Sequence, residues 1–485
     1  MVLASFLFCL LGFLLVGVAS LVRSRGTTED YYLASRSVHP VLAGLSAFAT
    51  NNSGYMFIGV IGFTYTVGLP AIWLMVGWIV GDLAASLAVH RELCRASHRT
   101  GELSFAGLIS RWTGAEQVLI RRLSALLTVV FLGSYAAAQL SAGGKALHSL
   151  FGWNVHSGAV LVAGIVVVYC LAGGLRASIW TDVAQAFVML FAMGLLLATA
   201  IIGLGGPAGA VARLAEIPGY LDWFPSDLRI PGAAGMALFA LGWLFAGVSA
   251  IGQPHMAVRY MALASPRQLL HTRLWYYSFF TAFYAMATGV GLLARIYLPG
   301  LAELDPELAL PAMAQGLLPP LGVGLILAGV FAATMSTADS LLLSCSAALT
   351  HDLALRPTHS TWLSKGATLL VTALALGIAI VGPQSVFTLV ILSWSTLASA
   401  FVPLLVVYAR GHRPTQAHAL LMMLTGPAIA LLWRQLGWHE EIYEGMPGIL
   451  AGLATFYGPW ALAALSTRFL SERTPAQRAG EAHEG

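Results

Sequence analysis

The chain has 485 residues, 58% of them apolar and only 9% charged, with a formal net charge of +4. That balance excludes a water-soluble globular protein and points to an integral membrane protein. The four cysteines, Cys9, Cys94, Cys170 and Cys345, have no paired spacing, which argues against a disulfide framework or a zinc site, and no dense basic run suggests nucleic acid.

A segment of about 20 apolar residues crosses a hydrocarbon core of about 30 Å. On that basis the expected fold is all-α with about thirteen transmembrane helices. They run over 1–22, 38–65, 68–90, 118–147, 155–174, 179–204, 232–256, 274–298, 317–350, 364–381, 385–409, 417–434 and 446–466. The first, 1–22, lacks a basic leader and a small-residue cleavage site, so it reads as a retained span. With the N-terminus outside and the C-terminus inside, only Lys145, Arg213, Arg229, Arg295 and Arg434 of the 25 lysines and arginines fall on or near the outer side. Arg259 is counted with the inner bases. Such a bias is the positive-inside pattern.

Along the chain, polar residues inside apolar spans carry the functional signal. The second span reads LSAFATNNSGYMFIG, with Thr50, Asn51, Asn52, Ser53 and Gly54 as a weakly helical cluster in mid-membrane. An unwound turn there would free backbone carbonyls, which hydrocarbon tolerates only where they line a cavity or lie buried in protein. Helix packing by small residues is the other reading for Ser53 and Gly54. In the next polar stretch Tyr135 and Gln139 lie one turn apart and share a face, although an interfacial tyrosine also fits.

In GGLRASIWTD, Gly173 and Gly174 interrupt the chain, and Asp182 follows as a carboxylate within the membrane. Asp82, nearer the inner end of its span, suits a structural hydrogen-bonding role. At 243–262, Gly252 and Pro254 mark a second expected break, since proline removes a backbone donor. His255 beside it reads as a structural or gate residue, because no other metal ligand stands at suitable spacing.

The stretch FAATMSTADSLLLSCSAALTHD, 331–352, places Asp339 deep in a span with Ser336, Thr337 and Ser340 around it. A carboxylate at that depth costs about 2.5–3.5 kcal/mol on insertion scales and normally faces a partner or an ion path. Hard oxygens gathered this way suit a small, partly dehydrated cation. Hydroxyls bonded back to the carbonyl one turn earlier are the competing reading for each residue singly. After a packing or hinge helix with Trp394 and Pro403, residues 467–485 read as a charged, disordered tail.

DYYLASRS, LSAFATNNSG, YAAAQLSAGGK, GGLRASIWTDVAQA, GQPHMAVRYMA, ATMSTADSLLLSCSAALTHDL and SWSTLASAFVP together resemble the solute:sodium symporter family, nearest in pattern to its sodium/proline branch. The resemblance implies sodium-coupled import of a small organic solute through the cell (inner) membrane, proline or another amino acid first. It also implies no enzyme activity and no cofactor beyond sodium as coupling ion. The fold implied is a LeuT-like core of two inverted five-helix repeats, here 38–204 and 232–409, flanked by the extra N-terminal helix 1–22 and two peripheral helices within 417–466.

Residue by residue, the resemblance assigns sodium to the carbonyls of Ala49, Asn52 and Ala333 and the hydroxyls of Ser336 and Thr337. Asp182, Asp339 and Ser340 form a candidate second cation position. Substrate contacts fall to Asn51, Ser53, Gly54, Tyr135, Ala246 and Ala250, with Gly252 and Pro254 as gate or hinge. Asn51 stands where the proline branch has aspartate, and Ala246 and Ala250 where it has tryptophan and tyrosine, which would open space for a larger solute. Sugars, carboxylates, quaternary amines and protons as coupling ion stay open, as does a sensor acting with a separate signalling partner. An intramembrane enzyme built on Asp182 and Asp339 lacks a nucleophile–base set.

Overall fold

In hydrocarbon a chain must satisfy its own N–H and C=O groups, and the apolar segments do so as helices. The computed structural model describes residues 1–303, 305–354, 360–382 and 385–459, with the backbone alone described at 149, 302 and 303. The expected tail 467–485 lies outside the described residues, as do 460–466 and Arg356.

The chain opens with α1 (Val2–Ala19) and a short α2 (Thr28–Leu33), then α3 (Pro40–Asn51), a π-turn over Tyr55–Gly59 and α4 (Val60–Val67). Next come α5 (Ile72–Thr100), α6 (Phe105–Arg111) and α7 (Val118–Leu127), which runs through a π-turn into α8 (Gly133–Phe151). The 49-residue α9 (Val155–Gly203) and short α10 (Pro207–Ala215) precede α11 (Gly232–Val248), α12 (Pro254–Met261) and α13 (Leu269–Tyr297). Beyond them lie α14 (Ala309–Leu317), α15 (Pro320–Ala347), α16 (Thr361–Val381), α17 (Val386–Ala409) and α18 (Gln416–Gln435).

Ten helical segments among the described residues are long and apolar enough to cross a membrane. The remaining expected spans differ for definite reasons. Residues 38–65 are broken at Asn52, where φ −88° and ψ 68° leave the helical region. Spans 155–174 and 179–204 run on as α9, bent at Gly174. The stretch 446–466 is helical over 445–459, where the description ends.

At Gly174 the backbone takes φ 54° and ψ −135°, and a Cβ there would stand 2.3 Å from the Tyr31 carbonyl oxygen. Such a conformation costs an L-residue about 1–3 kcal/mol. Gly174→Ala is therefore expected to lower the thermal unfolding midpoint in detergent by several degrees, and an unchanged midpoint would show that the bend carries no strain.

Burial separates centre from periphery. The most apolar window is 89% buried in α15 and in α17, but only 22% in α1. Close approach elsewhere relies on small residues: a Cβ at Gly81 would meet the Leu244 carbonyl oxygen at 2.0 Å, so α5 and α11 touch backbone to backbone.

The DYYLASRS segment is tied down by charge. Asp30 accepts from the Arg25 N–H at 2.7 Å, from Ser35 at 2.7 Å and from Arg176 at 2.5 Å. Burial pushes this carboxyl up, but the Arg176 guanidinium and the other donors outweigh it and hold it below the usual carboxylate range.

Candidate functional site

The break after α3 lies against the middle of α15. Ser336 Oγ donates within reach of the Ala49 carbonyl at 2.9 Å and the Ala333 carbonyl at 3.1 Å. Thr337 Oγ1 donates to the Thr50 carbonyl at 2.8 Å. All of these residues are fully buried. Oxygens from two helices some 290 residues apart in sequence thus converge, at separations comparable with those between neighbouring oxygens around a small hard cation.

Asn52 forms the break itself. Its backbone N–H and its Nδ2 both bond to the Phe48 carbonyl at 2.9 Å, while its Oδ1 is buried without a partner among the described residues. The second hydroxyl reaches the carbonyl of Thr50, which the sequence placed in the polar cluster but not among the sodium ligands. Its signal was position alone, one residue before the asparagine pair.

Asp182, Asp339 and Ser340 also come together, around a group the sequence had placed at the inner membrane edge. Arg259, on the short helix after the second break, is 1% exposed. Its guanidinium contacts Asp182 Oδ2 at 3.2 Å, Ser178 Oγ at 3.1 Å, Ser46 Oγ at 3.2 Å, the His255 carbonyl at 2.8 Å, and Ser340. Asp182 also accepts from Ser46 at 2.6 Å. Asp339 accepts from Tyr169 at 2.8 Å, Ser178 at 2.9 Å and Ser340 at 2.7 Å.

Two carboxylates and one guanidinium, all buried, belong to one network joined by the hydroxyls of Ser46, Ser178 and Ser340. Arg259, counted with the inner bases from sequence, is buried in the protein and bound to an acid rather than set in an exposed loop. Pro254 starts α12, and Arg259 about one turn later is buried in the protein, where an arginine needs an acid to stay charged. A cavity of about 20 Å³, measured as space open to the centre of a water-sized sphere, adjoins Arg259 and Ser340 and runs to Ser104 and Asp352. That is room for about one water. At its far end Asp352 accepts from Ser104 at 2.8 Å and pairs with Arg121 at 3.3 Å.

On the other side of the break, Tyr135 donates to Ser53 Oγ at 3.1 Å, and the Gly54 N–H donates to Gln139 Oε1 at 2.8 Å. Gly54 has no room for a side chain, since a Cβ would meet Thr334 at 2.7 Å and Ala142 at 2.9 Å. The Tyr135 ring stands edge-on to His255 and to Trp394, with centroids 5.6 and 6.5 Å apart.

Ala246 and Ala250 were expected to leave open space. Instead Trp394 from α17 lies beside Ala246 and donates its indole N–H to the Ala246 carbonyl at 3.1 Å. The second break is where expected: a 3₁₀ turn over Ser249–Gly252 and extended Gln253 separate α11 from α12, and Gly252 sits 3.0 Å, at its notional Cβ, from the Ala398 Cα. Asn51 bonds to Tyr276 rather than to Ser53 or Tyr135.

The sequence profile described as the sodium:solute symporter family matches residues 31–426, a stretch that takes in both breaks and every residue above. The chain belongs to this family. It is 30% identical over 492 residues to the sodium/proline symporter of Salmonella typhimurium, covering 96% of this chain and 95% of that one. To the high-affinity proline transporter PutP of Bacillus subtilis it is 29% identical over 458 residues, covering 92% and 94%. Among solved structures, a Na+-coupled sialic acid symporter in a substrate-bound outward-open state matches with a TM-score of 0.77 at 20% identity, over 94% of this chain and 97% of the other.

This sodium:solute symporter is therefore a multi-pass membrane protein of a transporter family whose coupling ion is sodium. The likeness to the sialic acid symporter establishes a shared fold, within which the two helix breaks and the buried acids of this chain sit.

Proposed function

We propose that the protein imports proline or another small amino acid together with sodium. Sodium would sit where the oxygens of Ala49, Thr50, Ala333, Ser336 and Thr337 converge, with Asn52 at the break beside it. This convergence is the single observation that carries the reading, and the names of the sodium/proline relatives support the choice of solute. Solute would lie across the break, against Ser53, Gly54, Tyr135, Ala246, Ala250 and Trp394. Asp182, Asp339 and Ser340 carry one more formal negative charge than Arg259 neutralises, so a second cation is accommodated there by charge.

In this reading thirteen helices cross the membrane, with the N-terminus outside, the C-terminus inside and inverted repeats over 38–204 and 232–409. The grouping of charges supports the sidedness. Lys145 pairs with Asp305 at 3.0 Å and Glu307 at 2.6 Å, and Arg434 with Glu444, all expected outside, whereas Arg121 joins Glu102 and Asp352, expected inside. Sodium binding ties the α3 break to α15 and favours one arrangement of the repeats; solute then favours the occluded one, and rocking releases both inward past Arg259 and Asp352.

One charge moving through about 100 mV supplies about 2.3 kcal/mol, and a tenfold sodium gradient adds about 1.4 kcal/mol, which together sustain several-hundredfold accumulation. Reconstituted in proteoliposomes, the protein is expected to accumulate labelled proline under an inward sodium gradient and not when choline replaces sodium. Equal uptake in choline would overturn the reading. Uptake of a sugar, carboxylate or quaternary amine in place of proline would move the reading to that solute class. The same assay across these solutes separates the two.

A further inference from the structure

The Asn51 side chain is 5% exposed and tied at one end only. Its Nδ2 donates to the Tyr276 hydroxyl at 2.7 Å, while its Oδ1 is buried with no hydrogen-bond partner among the described residues. Tyr276, fully buried on α13, donates in turn to Asp82 Oδ2 on α5 at 2.5 Å. One turn along α5, Arg273 holds Ser86 through Nε to Oγ at 2.9 Å and Nη2 to the carbonyl at 2.6 Å.

The order of donors in this chain follows from counting protons. A phenol has one to give, and the geometry directs it to Asp82 Oδ2. With its proton directed to Asp82, the Tyr276 oxygen is left as an acceptor, and the amide of Asn51 must turn its NH2 group toward it. The carbonyl end then faces away from Tyr276, at the residue where α3 stops. The two ends of an amide are nearly alike in shape, so shape does not select between them, whereas the hydrogen-bond chain does.

We propose that Asp82 and Tyr276 are positioning residues that lock Asn51 with its carbonyl oxygen presented to a cationic group at the α3 break, either the sodium ion or the ammonium of the solute. This rests on the symport reading above and adds to it two residues that touch neither ion nor solute.

Tyr276→Phe removes the hydroxyl and keeps the ring. In proteoliposomes it is expected to raise either the sodium concentration for half-maximal uptake or, at saturating sodium, the KM for proline, by about tenfold, with the maximal rate nearly unchanged. Whichever of the two moves identifies the cation. Asn51→Asp placed in the Tyr276→Phe background offers an oxygen from either end and is expected to restore most of the lost affinity, a rescue that a purely structural tyrosine would not permit.

Asp82→Ala removes the acceptor, frees the Tyr276 proton for Asn51 and should show the same shift and the same rescue; it serves where Tyr276→Phe does not fold. Unaltered affinities in both variants, or no restoration by Asn51→Asp, would overturn the inference alone. Sodium-independent uptake by the parent protein would overturn the symport reading and this inference with it.

Discussion

Ser336→Ala is expected to raise the sodium concentration for half-maximal uptake at least tenfold while leaving the amount of folded protein in the membrane unchanged. Its hydroxyl reaches the Ala49 and Ala333 carbonyls at 2.9 and 3.1 Å, so it is the oxygen common to both helices at the break. Removing it leaves two carbonyls facing a methyl group. A carbonyl deprived of a neutral partner costs about 1–3 kcal/mol, which a multi-pass membrane protein of this size absorbs, but an ion losing one of a handful of oxygens loses affinity by a similar amount, and that is one to two powers of ten.

Thr337→Ala should act in the same direction through Thr50, and Thr337→Ser, which keeps the hydroxyl, should not. Uptake titrated with sodium at constant ionic strength measures all three. A parental sodium curve for Ser336→Ala would remove the physical seat proposed for coupling.

Arg259→Met is expected to be the most damaging single substitution in the protein. Among the described residues the guanidinium is the one cation bonded to the cluster that holds Asp182 and Asp339, and both carboxylates are fully buried. Deleting one partner of a buried ion pair commonly costs about 3–5 kcal/mol, because the remaining charge keeps its desolvation penalty without its compensation. The variant should therefore be recovered in much lower amount, with an unfolding midpoint well below the parent.

Arg259→Met combined with Asp182→Asn removes both charges of the pair and should regain much of the stability without regaining transport. Arg259→Lys should be intermediate. A single ammonium cannot reach Ser46, Ser178, Ser340, Asp182 and the His255 carbonyl together, as the planar fork does. Size-exclusion profiles and thermal unfolding in detergent read these differences, and a parental midpoint for Arg259→Met would mean that the acids are neutral.

The sequence was legible where the signal is a local cost. A polar cluster such as Thr50 to Gly54 and a proline after glycine at 252–254 interrupt helices in hydrocarbon whatever surrounds them, and the chain is indeed broken at Asn52 and at Gln253. Gly173 and Gly174 marked the bend of α9 for the same reason, and Asp339 with its hydroxyls marked the face of α15 that meets another polar element. Family membership followed from those same stretches in order.

What the sequence by itself determined, then, is the class of protein, the placement of the breaks and the side chains with no bland reason to be in a membrane. Only the tertiary structure decided which of them meet. Arg259 turns out to neutralise Asp182, Tyr276 links Asp82 to Asn51, Trp394 fills space beside Ala246, and Thr50 rather than Asn52 receives the Thr337 hydroxyl. Each of these depends on how far a helix is pushed along its axis and turned about it. Those two quantities are set by packing against neighbours distant in the chain, and helical periodicity carries no record of either.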